Sequence, residues 1–85
     1  MESSTSPSLT ERVQVVLAEA IRVPLELVTP TLAFGELPEW DSMAHMEVML
    51  LLEQYFGIEI NAETIASLTS VPAICQHLQE NGYAQ

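Results

Sequence analysis

The chain's 85 residues contain no internal repeat and amount to one small domain, a size that buries only roughly 60 to 65% of the unfolded surface. Twelve acidic residues against two arginines and no lysine give a formal net charge of -10, which repels nucleic acid and anionic membrane surfaces and selects partners with basic patches. No apolar run is long enough to cross a membrane and no basic-then-apolar start marks a signal peptide, so a cytoplasmic monomer is expected, and the single cysteine, Cys75, excludes an intramolecular disulfide.

Residues 1–7 are small and polar and are expected to be a disordered N-terminal segment. Ser8, followed three positions later by Glu11, has the spacing of a capping box. Leu9, Val13, Val16, Leu17, Ala20 and Ile21 then recur at helical intervals, which predicts a first helix whose outward face carries Glu11, Arg12, Glu19 and Arg22 in solvent. Between Val23 and Trp40, Pro24, Pro30, Gly35 and Pro38 forbid a continuous helix, although Leu25 to Val28 fit a short turn. A loop of this length in a small domain has to be held down. Leu27, Val28, Leu32 and Phe34 are the residues expected to do so.

Asp41 and Ser42 stand before the most apolar helical run of the chain, where side-chain oxygens accept bonds from N–H groups that have no partner inside the helix. The second helix is predicted from Ser42 to Phe56, with Gly57 as its left-handed stop. Val48, Leu51, Leu52, Tyr55 and Phe56 form its expected core side. Met43, Met46 and Leu50 fall on the opposite side at i, i+3, i+7 spacing, flanked by Glu47, Glu53 and Gln54. An apolar stripe rimmed by carboxylates, where solvent is expected, reads as a docking surface, and methionine suits one because its thioether repacks readily.

After the extended Ile58-Glu59-Ile60 link, Asn61 is the predicted cap of a short third helix, Ala62 to Ser67, with Ile65 and Leu68 inward. Ser70 caps a fourth that tolerates Pro72 in its first turn and stops at Asn81-Gly82. Val71, Ile74, Cys75 and Leu78 share one face of it, which makes Cys75 a small core residue. The predicted fold is therefore all-α, a small bundle of three longer helices and one short one with a long first loop. The folded domain spans residues 8–81, and residues 82–85 form a tail.

Asp41-Ser42-Met43, followed by Met46, Glu47, Leu50, Leu52, Glu53 and Phe56, resembles the Asp-Ser-Leu segment and second helix of acyl carrier proteins. Ile58-Glu59-Ile60-Asn61 and Thr69-Ser70-Val71 continue the resemblance, which covers about residues 8 to 80. It implies that Ser42 carries 4'-phosphopantetheine through a phosphodiester to its hydroxyl, placed there by a phosphopantetheinyl transferase. It also implies that acyl groups are held as thioesters at the end of the arm and passed between enzymes. A phosphate at a helix's first turn meets free N–H donors and the positive end of the macrodipole, so the position suits the group.

Within that family, Trp40 before Asp-Ser departs from fatty-acid carriers and looks more like the discrete carriers of specialised, polyketide-like pathways, and its indole equally suits an anchor of the loop against the core, since one residue can do both. Trp40, Asp41 and Met43 would then flank the attachment serine, and dedicated partners would read Met43, Met46 and Leu50 together with Asp41, Glu47 and Glu53. Two alternatives stay open, an aminoacyl or peptidyl carrier and an acidic helical interaction module that is never modified. A hydrolase built on Ser42, His45 and Asp41 or Glu47 lacks a glycine-rich nucleophile elbow and an oxyanion hole. No catalytic residue is assigned. His45 and His77 have no partners at metal-ligand spacing and are expected at the surface or its boundary, and no metal site is assigned.

Overall fold

The computed structural model describes residues 8–81; the expectations for residues 1–7, for Gly82 as part of the helix stop and for the tail 82–85 lie outside them. Four α-helices follow one another: α1 over Leu9–Ile21, α2 over Ser42–Phe56, α3 over Ala62–Ser67 and α4 over Val71–Glu80, with a 3-10 turn at Leu25–Leu27 in the long loop. Among the described residues there is no strand, only an isolated antiparallel bridge between Ala33 and Ser70.

Local chemistry starts and stops each helix where the residues predict. Ser8 accepts from the Glu11 N–H at 3.2 Å while the Glu11 carboxylate accepts from the Ser8 N–H at 3.1 Å, the reciprocal bonds of a capping box. Asn61 and Thr64 form the same arrangement at α3, and Ser70 accepts from the Ala73 N–H at α4. Gly57 closes α2 at φ 72°, a left-handed conformation that suits a residue without a Cβ. Arg22 closes α1 in the same region at φ 64° although it has a side chain.

The core forms where the apolar faces of α1, α2 and α4 meet, α1 packing chiefly against α2 and then α4. All six periodic residues of α1 are buried, as are Val71, Ile74, Cys75 and Leu78 of α4. Cys75 lies within 3.7 Å of the Thr10 hydroxyl and serves as a small core residue. On α2 the assignments of Tyr55 and Met49, among others, change. Tyr55 is 54% exposed and donates to Glu19 at 3.2 Å, and that hydrogen-bonded carboxylate pushes the phenol above its ordinary pKa. Met49, which the sequence reading left off the core side, is completely buried. Arg12 is half-buried rather than solvated, with its guanidinium 5.0 Å from the centre of the Phe56 ring, a cation–π contact that covers the end of the core.

The long loop is stitched down by backbone as much as by side chains. Gln14 Nε2 donates to the Val28 carbonyl at 2.6 Å, the Phe34 N–H to the Thr69 carbonyl at 2.8 Å, and the Val71 N–H to the Leu32 carbonyl at 2.9 Å. Val28, Leu32 and Trp40 are its buried anchors, whereas Leu27 and Phe34, expected to pack down, are exposed by 45% and 41%. Leu68 is inward as expected, while Ile65 is only half-buried and the buried residue within α3 is Thr64.

Candidate functional site

Ser42 is the first residue of α2, and the helix is capped one position earlier. Asp41 has extended backbone, its Oδ1 accepts from the Ala44 N–H at 2.9 Å, and its carbonyl accepts from the His45 N–H at 2.8 Å. The cap therefore belongs to Asp41 alone. The expectation that Ser42 also contributes a cap bond is corrected, because its exposed hydroxyl makes no hydrogen bond among the described residues. The backbone N–H groups of Ser42 and Met43, in the first turn, have no acceptor there either. Asp41→Ala is expected to cost about 1 kcal/mol, and Asp41→Asn much less, since either oxygen-bearing side chain caps the helix. Urea titration of the two variants beside the parent checks this.

Trp40 is 1% exposed, and its Nε1 donates to Nδ1 of His45 at 3.1 Å. Since Nδ1 accepts, the ring proton sits on Nε2, which donates to the Ile65 carbonyl at 2.8 Å. His45 is 5% exposed, so its expected place at the surface is overturned. It lies on the core stripe of α2, where His45, Val48, Met49, Leu52 and Phe56 follow i, i+3, i+4, i+7, i+11 spacing. That spacing was the available signal. Phe34 completes an aromatic group, meeting Trp40 edge-on at 6.1 Å between ring centres and His45 at 5.6 Å. The His45 lone pair is occupied by Trp40, so the imidazole has no free base to take a proton from Ser42.

A surface groove of about 430 Å³ opens beside Ser42, lined by Phe34, Ser42, His45, Met46, Ile65 and Thr69. The residues next to it on α2 form the exposed apolar stripe that helical spacing predicts. Met43 is 84% exposed, Met46 43% and Leu50 46%, and Glu47, Glu53 and Asp41 stand exposed around them. No lysine or arginine occurs in α2, so this face is apolar in the middle and acidic at its rim. Among the described residues no group of three or more His, Cys, Asp or Glu side chains could hold a metal ion.

A family model described as "Phosphopantetheine attachment site" matches residues 11–78. The chain belongs to the acyl carrier protein family. Similar proteins include acyl carrier proteins of Helicobacter pylori strains G27 and HPAG1, each 31% identical over 77 residues that cover 91% of this chain and 99% of the relative. A third, from strain ATCC 700392 / 26695, matches with the same identity and coverage. As an acyl carrier protein the chain is a carrier rather than an enzyme, and the group that its domain takes is covalent 4'-phosphopantetheine. The surroundings of Ser42 fit that group: an exposed hydroxyl and two N–H groups of the same helix turn that have no partner among the described residues, and an apolar groove alongside. Carrier domains work with a phosphopantetheinyl transferase and with acyl-handling enzymes, and no helix among the described residues is long and apolar enough to cross a membrane.

Proposed function

We propose that Ser42 is the attachment point and that the protein is a free-standing carrier of a specialised, polyketide-like acyl pathway. The observation that carries the first half is the Ser42 hydroxyl itself, exposed at the first position of α2 and free of hydrogen bonds among the described residues. When bound, the group supplies a terminal thiol on a flexible arm, and that thiol holds an acyl group as a thioester. The chain's own part is to present the serine on a rigid helix end. The Ser42 and Met43 N–H groups and the helix dipole offset the phosphate's charge, while Asp41 stays engaged as the cap. Intact mass before and after incubation with coenzyme A and a transferase tests the assignment.

The pathway half is supported by Trp40 before Asp41-Ser42 and by the composition of α2, where Ala44, His45, Gln54 and Tyr55 stand at positions that fatty-acid carriers often give to acidic or short polar residues. Partners would read Met43, Met46 and Leu50 as an apolar centre, with Asp41, Glu47 and Glu53 meeting basic groups at the rim. Met46→Glu and Leu50→Glu are expected to raise the KM of the loading transferase about tenfold, the loss of one hot-spot contact. Each should change stability by no more than about 0.5 kcal/mol, because both side chains are already half in solvent. Transferase kinetics read with a thermal melt check both expectations. A variant that unfolds instead would show that these side chains support the core.

A further inference from the structure

Among the residues lining the groove beside Ser42, His45 is the most buried, and it differs from the apolar Phe34, Met46 and Ile65 in being polar and held at both ring nitrogens. One bond runs to Trp40 at the end of the long loop and the other to the Ile65 carbonyl of α3, so a single side chain on α2 ties three parts of the fold together at the bottom of the groove. On the core side its neighbours are closed to solvent, with Trp40 1% exposed and Val48 and Met49 completely buried, while Ile65 on the groove side is half-buried.

We infer that His45 is a specificity-determining residue: it bars an acyl chain from passing between α2 and α3, and so restricts the cargo to short or polar acyl groups that remain in the surface groove. This rests on the reading of Ser42 as the attachment point. An apolar chain that went deeper would have to swing the imidazole aside. The Trp40 indole N–H, on a side chain 1% exposed, would then lose its acceptor and the Ile65 carbonyl its donor, and a polar group left unpaired in the core is costly. Breaking the two bonds would also release α3 from α2, a connection that this short helix does not make elsewhere with a side-chain hydrogen bond among the described residues. A chain of a few carbons avoids that cost. It ends against Phe34, Met46 and Ile65, which lie at the half-exposed wall of the groove.

The test uses the full chain loaded with butyryl or octanoyl phosphopantetheine, from the matching acyl-coenzyme A and a promiscuous phosphopantetheinyl transferase. Intact mass, with Ser42→Ala alongside, establishes the loading before anything else is measured. Cleavage of each thioester by neutral hydroxylamine is then followed by mass and expressed relative to the same acyl-coenzyme A in solution. In the parent, both chain lengths should be cleaved at relative rates within about twofold of each other. In His45→Ala the octanoyl thioester alone should be protected about fivefold, the factor that one net hydrogen bond is worth. Trp40→Phe, which removes the donor to His45 and keeps an aromatic ring in the core, is read in the same way if His45→Ala does not fold.

Fivefold protection of octanoyl in the parent would overturn the inference, because the chain would then already be sheltered with His45 in place. Equal cleavage of both chain lengths in the opened variant would overturn it too. Failure to load Ser42 would bring down the carrier assignment and the inference with it, and the mass spectrum separates that failure from the other two before hydroxylamine is added.

Discussion

Ser42→Ala should gain no mass on incubation with coenzyme A and an active phosphopantetheinyl transferase, while the parent gains one phosphopantetheine and both proteins melt at nearly the same temperature. The loss of modification is complete because the substitution removes the only atom on that side chain able to form the phosphodiester. The small effect on stability follows from the division of labour at the start of α2. Asp41 makes the cap bond and the Ser42 hydroxyl makes none among the described residues. Alanine is in addition the better helix former, so the net change should stay within about 0.5 kcal/mol of zero. Had the Ser42 hydroxyl been the cap, its loss would have cost about 1 kcal/mol. Addition of phosphopantetheine to the alanine variant would end the assignment of Ser42, and a folded parent that takes none would return the unmodified interaction module as the better account of the acidic, methionine-bearing face.

The largest loss of stability should come from Trp40→Ala. A fully buried Trp or Phe truncated to Ala typically costs about 3–5 kcal/mol, and here the indole N–H that His45 accepts is lost as well. A domain of this size has roughly 4 to 12 kcal/mol in hand by the usual scaling with length, so the variant should lose from about a quarter to all of its stability. Trp40→Phe separates the two contributions. It keeps most of the ring volume and gives up the hydrogen bond, and should cost about 1–3 kcal/mol. Urea titrations followed by far-UV circular dichroism would rank parent, Phe and Ala in that order. Equal losses for the two variants would mean that the bond to His45 matters more than the bulk of the indole.

That ordering bears on Trp40 as a feature of the motif. The sequence reading held a pathway marker and a core anchor side by side. The anchor is now visible in a side chain 1% exposed that joins the loop to α2 and, through His45, to α3. An anchor of this kind fixes the backbone immediately before Asp41 and Ser42. On the proposed reading of Ser42 as the attachment point, such an anchor would present the serine from a rigid end of the loop, which favours orderly docking.

The caps at Ser8, Asp41, Asn61 and Ser70, the stop at Gly57 and the limits of all four helices were legible because they rest on bonds between residues three or four apart, which a local sequence pattern encodes directly. The same holds for the outward stripe of Met43, Met46 and Leu50, where helical spacing and flanking carboxylates were enough. Tertiary structure decided what periodicity leaves open. Tyr55 sits close to the core arc of α2 but lies in its last turn, where Glu19 of α1 meets the hydroxyl in solvent. Arg12 is drawn over Phe56 by a ring that lies 44 positions away in sequence. His45 is polar and was placed near solvent, yet both its ring nitrogens find partners, one five residues back and one 20 residues ahead. A buried polar side chain is affordable only when such partners exist, and they are supplied by a loop and a helix whose positions no local pattern specifies.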